Sequence, residues 1–194
     1  MPTEAAPQLS RNHRRIAIAG ASGAGKTALA TRLAVHLEYP RVELDELYYG
    51  PGWTIRQEFP ENASTALATP TWVTEWQYLD DVPLLAERVD LIIWLDYPRW
   101  LTFLSVLLRS TLRRLHHEIL WSGNRESGPL AAIWDRHHAL RYAASTGGRR
   151  LGRELREAGR RPNPPDIWRF RSPAQLSAWV SEHLHVRLPE GHHR

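Results

Sequence analysis

The chain contains no cysteine, a single methionine and, among its 25 cationic residues, a single lysine. Without cysteine there are no disulfides, thiolate metal sites or cysteine nucleophiles, so any metal must be held by oxygen or imidazole. No apolar run approaches the length of a membrane-spanning helix. Met1 to Arg15 lacks the basic, apolar and small-residue order of a signal peptide. A soluble, cytoplasmic protein is expected, with no membrane partner. At 194 residues the chain suits one domain with a real core and is too short for a pair of motor lobes.

The scarcity of lysine is informative. As surface charges arginine and lysine interchange, but a compact, flexible ammonium has no substitute where geometry demands one. The lone Lys26 lies in Gly20-Ala21-Ser22-Gly23-Ala24-Gly25-Lys26-Thr27, a full match to G-x-x-x-x-G-K-[ST]. The match directly follows the apolar run Ile16 to Ala19 and directly precedes a helical pattern, the context the motif requires. Its glycines let the backbone wrap a phosphate chain, and the amides and helix N-terminus point at the anion. Lys26 neutralises β- and γ-oxygens and the Thr27 hydroxyl ligates Mg²⁺. The guanine-reading Asn-Lys-x-Asp would need a second lysine, so ATP with Mg²⁺ is the expected cofactor pair rather than GTP.

Short apolar runs alternate with longer helical patterns, the signature of an α/β fold. Strands are expected at Arg15 to Ala19, Arg41 to Leu44, Trp72 to Trp76, Leu91 to Leu95 and Ile167 to Arg169. Leu91-Ile92-Ile93-Trp94-Leu95 has the uninterrupted apolar character of a central parallel strand. Helices are expected at Lys26 to Leu37, Val82 to Glu87, Arg99 to Leu120, Leu130 to Ala158 with a break near Gly147-Gly148, and Pro173 to His185, the last capped by Ser172. Residues 1–13 and 189–194 read as tails around one domain, 14–188. Glu46 to Pro70 and Trp121 to Pro129 read as loop-like inserts, where binding groups are commonly found.

Charge is segregated: residues 38–98 carry 12 acids against 3 arginines, and residues 99–171 carry 15 arginines against 6 acids. Two mutually attracting solvated faces and an anion-binding arginine-rich half both fit this pattern. Asp96 ends the central apolar run at the edge where ligands bind, placed to support Mg²⁺ or to cap the following helix. Asp45 follows Val42 to Leu44 and is the candidate base for a hydroxyl acceptor. With Glu46 and Glu75 it forms either an acceptor wall or an exposed acidic edge. Arg109 and Arg113 are one helical turn apart, with Arg114 adjacent and Arg125 beyond. They suit a clamp on a transferring phosphoryl group, or an exposed basic face. His116-His117 and His137-His138 lack metal-ligand spacing. Of nine tryptophans, Trp53 in Gly50-Pro51-Gly52-Trp53 is the candidate for stacking on a flat ligand.

Together, Gly20 through Thr27, Leu44-Asp45-Glu46-Leu47 with Pro51-Gly52-Trp53, Leu95-Asp96-Tyr97-Pro98-Arg99-Trp100 and Trp121 to Ser127 resemble the small P-loop kinases known as adenylate kinase-like or DNA topology modulation (FlaR-type) proteins. The resemblance spans about residues 15 to 185. It implies a three-layer α/β/α P-loop NTPase fold, like that of nucleoside and nucleotide kinases, with a five-stranded parallel sheet. It also implies an acceptor region at 46–70 and a lid-like loop at 116–130. By the same resemblance Lys26, Thr27, Asp45 and Asp96 lie at the reaction centre and Arg109, Arg113 and Arg125 around the lid. Where relatives carry Asp-Gly-Asn-Tyr after the third strand, this chain reads Glu75-Trp76-Gln77-Tyr78, and Trp76 is expected to fill part of the pocket.

The first functional reading is therefore a kinase moving the γ-phosphoryl group of ATP to a small nucleotide, nucleoside or metabolite near Asp45, Trp53 and Glu75. The second is a nucleotide-dependent regulatory or nucleic-acid-binding module with slow ATP hydrolysis. Nucleic acid is not the expected partner under the first.

Overall fold

A computed structural model describes residues 7–105 and 147–184. Five parallel strands, β1 (Arg15–Gly20), β2 (Arg41–Val42), β3 (Trp72–Glu75), β4 (Leu91–Leu95) and β5 (Asp166–Phe170), form one sheet in the order β2-β3-β1-β4-β5. The helices are α1 (Lys26–Leu37), α2 (Leu44–Tyr48), α3 (Phe59–Leu67), α4 (Pro83–Arg88), α5 (99–105 described), α6 (Gly147–Ala158) and α7 (Pro173–His183). This is the three-layer α/β/α P-loop fold.

Strand alternation builds the two outer layers. Ile16, Ile18, Leu91, Ile93 and Leu95 point to one face, where Leu29, Ala30, Leu33 and Ala34 of α1 and Trp179 and Val180 of α7 cover them. Ala17, Ala19, Ile92 and Trp72 point to the other, under Phe59, Ala63 and Leu67 of α3, Leu85 of α4 and Leu155 and Ala158 of α6. All four residues Ile16 to Ala19 are fully buried, as a strand covered on both sides must be. Each large aliphatic chain buried this way contributes about 1.5–3 kcal/mol. The central helix α1 and strand β4 have the bounds that periodicity predicts. The Ser172 hydroxyl accepts a hydrogen bond from the Gln175 N–H at 3.2 Å, capping α7 as expected.

The structure departs from the sequence reading in three places. The second strand stops at Val42, and Leu44 to Tyr48 is helical. β2 is an edge strand paired only with β3, whereas the helix lets Leu44, Leu47 and Tyr48 reach the core from one face. The stretch 46–70 is not loop-like: it holds a 3₁₀ turn at Pro51–Trp53 and α3, whose Phe59, Ala63 and Leu67 recur every fourth residue on its buried side. Residues 7–13 are packed rather than a free tail. The Trp179 indole N–H donates to the Pro7 carbonyl at 2.6 Å, Leu9 lies against the core, and buried His13 meets Asp166 at 2.8 Å. No helix among the described residues is long and apolar enough to cross a membrane.

Candidate active site

The phosphate loop joins β1 to α1 at the carboxyl edge of the sheet, where parallel α/β folds bind ligands. Gly20 opens it beside β4: a Cβ there would stand 2.9 Å from the Leu95 carbonyl oxygen, so only glycine allows the two strands to meet this closely. Gly25 caps α1 with φ 90°, a left-handed conformation that costs glycine least, and no atom lies within 4 Å of the position its Cβ would take. The amides of the first turn therefore face open space, as an anion cradle requires.

Lys26 bends back over this loop. Its ammonium donates to the Ala21 carbonyl at 3.4 Å and lies 3.5 Å from Glu75 Oε2. The Thr27 hydroxyl donates to Glu75 Oε1 at 2.6 Å. Glu75, at the end of β3, thus spans the two chemically active side chains of the loop. Asp96 has a different partner: Arg169 of β5 donates to it through Nε at 2.9 Å and through Nη2, while the same guanidinium lies 4.4 Å above the Trp94 ring. The sequence places Asp96 and Glu75 alike at strand ends. It is register that sends Glu75 toward β1 and leaves Asp96 facing β5.

Asp45 sits on the first turn of α2, not at a strand exit. Its Oδ1 accepts from the Tyr78 hydroxyl at 2.6 Å and from the Gln77 amide at 3.1 Å. Burial pushes its carboxyl above the usual range; the Tyr78 hydrogen bond works against that, while the negative charge of Glu75 adds to it and Lys26 opposes it. Burial, together with Asp45, also drives the Tyr78 hydroxyl far upward, so it remains a donor. Tyr78 is held by stacking on Tyr48 with centroids 4.5 Å apart and by the edge of Phe59 at 5.1 Å. It adopts φ 57°, uncommon for a residue with a bulky side chain. Gln77 and Tyr78 are the site residues that residue-type reasoning missed. The only signal was their position one and two residues beyond a strand-end pair.

Trp76 does not fill the pocket as expected. It is buried in the α6-side core, and its indole N–H reaches Glu154 at 3.3 Å. Glu46 is exposed and turned from Asp45's surroundings. Trp53 is 37% exposed on its 3₁₀ turn, with its ring edge-on to Tyr49 at 5.2 Å. Arg109, Arg113 and Arg125, the lid-like loop 116–130 and both histidine pairs lie outside the described residues.

Two cavities flank the loop. The larger, about 340 Å³, runs between α1, α5 and α7 and is lined by Gly23, Gly25, Arg32, Tyr97, Leu101 and Pro173, among others. Tyr97's hydroxyl is pushed up to about 12 by burial. The smaller, about 20 Å³, opens on the far side and is lined by Thr27, Glu43, Asp45, Thr74, Glu75 and Gln77, among others. A phosphate cradle with a half-apolar cleft behind it and a polar slot before it defines a P-loop phosphate-binding domain. No groups of three or more metal-ligating side chains suited to a preformed metal site occur among the described residues.

No family model matches the chain, and no curated protein matches it. Among solved structures it is similar to an unliganded sugar kinase from Janibacter sp. HTCC2649, with 16% identity over 87% of this chain and 92% of that one and a TM-score of 0.43. It is likewise similar to a gluconokinase from Sinorhizobium meliloti 1021, with 17% identity over 90% and 91% of the two chains and a TM-score of 0.44. A third is a putative kinase from Chloroflexus aurantiacus J-10-fl, with 17% identity over 89% and 100% and a TM-score of 0.44.

Proposed function

We propose that this chain is an ATP-dependent phosphotransferase that moves the γ-phosphoryl group to a hydroxyl of a small acceptor. The observation that carries the reading is the slot where Thr27 of the phosphate loop, Glu75 bound to it and the half-buried Asp45 converge. ATP would lay its triphosphate along Gly20 to Thr27, with Lys26 on the β- and γ-oxygens, and its base and ribose would occupy the cleft between α1, α5 and α7.

Thr27 and Glu75 supply adjacent hard oxygen donors, which suit Mg²⁺. Asp96 commits its carboxylate to Arg169, so the ion is proposed at Thr27 and Glu75, in place of Thr27 and Asp96. When bound, Mg²⁺ would neutralise charge on the β- and γ-phosphates. The chain's own residues do the rest. Asp45 accepts the acceptor's hydroxyl proton through Oδ2 while Tyr78 and Gln77 hold Oδ1. The freed oxygen bonds to the γ-phosphorus, and the bond from that phosphorus to the β-bridging oxygen breaks, leaving ADP. A carboxyl raised by burial is a better proton acceptor than one in water. Arg109, Arg113 and Arg125 are proposed as phosphoryl clamps, and Trp53 as an outer wall for the acceptor.

The test is ADP release in the presence of Mg²⁺ and a panel of hydroxyl compounds. Acceptor-dependent turnover that falls at least about a hundredfold in Asp45→Asn fits a general base. No acceptor-dependent turnover, or turnover indifferent to that substitution, removes the assignment.

A further inference from the structure

The phosphate loop fixes where the acceptor's hydroxyl must arrive, and the slot beside it has a marked polarity. Its lining includes three carboxylates, Glu43, Asp45 and Glu75. The nearby cations are already engaged: Arg41 Nη1 lies 2.7 Å from Glu43 Oε1, and Lys26 lies 3.5 Å from Glu75 over the loop. The neutral donors are turned inward as well. Gln77 and Tyr78 both donate to Asp45 Oδ1, and the Thr74 hydroxyl donates to the Val42 carbonyl at 2.7 Å. What remains for a ligand, among the described residues, is acceptor capacity, with Asp45 Oδ2 receiving no hydrogen bond from them.

Resting on the phosphotransfer reading above, we infer that the acceptor is an uncharged or amine-bearing polyhydroxy compound that inserts one hydroxyl between Thr27, Asp45 and Glu75, and not a carboxylate or phosphate ester. A slot lined with acceptors is satisfied by O–H or N–H groups and leaves an anionic group unpaired beside like charge, where it is strongly disfavoured. The slot's volume, about 20 Å³, admits about one water-sized group. One hydroxyl therefore enters, and the rest of the compound lies outside it. A bound ATP adds further negative charge on the opposite side of Thr27, which sharpens the discrimination.

The experiment measures acceptor-dependent ADP release by the full chain with matched skeletons: glucose, glucosamine, gluconate and glucose 6-phosphate, and adenosine against adenosine monophosphate. The uncharged or amine-bearing member of a skeleton is expected to give a kcat/KM about tenfold or more above its acid or phosphate counterpart. Glu43→Gln is expected to narrow that ratio. Preference for the anionic member, a ratio near one, or a ratio unchanged by Glu43→Gln overturns the inference. Turnover with an anionic acceptor would leave the phosphotransfer reading standing and remove only this specificity, whereas no acceptor-dependent turnover from any skeleton removes both.

Discussion

Tyr78→Phe deletes one hydroxyl and keeps the ring that stacks on Tyr48 and meets Phe59, so the fold is preserved while Asp45 loses its shorter hydrogen bond, 2.6 Å long. That bond stabilises the carboxylate over the neutral acid and is the largest influence opposing the burial that raises Asp45. Hydrogen bonds to charged groups contribute about 1.5–3 kcal/mol, and 1.36 kcal/mol corresponds to one pKa unit. Gln77 remains and water partly replaces the hydroxyl, so the lower end applies: Asp45 should rise by about one further unit. Two assays read this. Carbon-13 NMR of the Asp45 carboxyl follows the titration without any acceptor. In a pH–rate profile, where ionised Asp45 is required, the acid limb of kcat/KM should move upward by about the same interval. An Asp45 titration that stays in place or moves downward in Tyr78→Phe would show that Tyr78 does not tune this carboxylate.

Lys26→Ala removes the cradle's ammonium and should weaken Mg²⁺-ATP binding by at least about tenfold, measured by calorimetry, with the thermal midpoint little changed because Lys26 packs no core. Trp76→Ala empties a buried site in the α6-side core and should cost about 3–5 kcal/mol in denaturant unfolding; a loss under about 1 kcal/mol would contradict the packing described. Because folding raises the Tyr78 hydroxyl, the native state holds a proton that the unfolded chain releases. Stability from this group is therefore full below about pH 10 and declines above it. Tyr78→Phe should flatten that alkaline decline in unfolding curves recorded from pH 8 to 11. Asp45 has the same sign at acid pH: its raised carboxyl adds stability below the ordinary carboxylate range, and that contribution is lost as pH climbs through its folded value.

The elements legible in the sequence are those whose cause is local. Ile16 to Ala19, the phosphate loop and Lys26 to Leu37 follow one another without interruption, and strand, tight turn and helix are each specified by neighbours within a few residues. Leu91 to Leu95 carries its own reason too, because a run apolar on both faces can only be a covered strand. Lys26 stood out by composition alone, as the one ammonium in a chain that otherwise uses arginine.

Tertiary structure decided which of several similar acids does what. Asp45, Glu75 and Asp96 look equivalent in sequence, each trailing an apolar run. Parallel register brings Glu75 to Thr27 across 48 residues and Arg169 to Asp96 across 73. Whether Leu44 extends a strand or begins a helix depended on β2 being an edge strand with one partner, which local periodicity does not contain. Trp76 turned toward α6, and residues 7–13 packed beneath Trp179, for the same reason: large apolar and aromatic surfaces settle wherever distant elements leave room. Local sterics and spacing determine the phosphate cradle; pairings between distant segments determine the carboxylates placed around it.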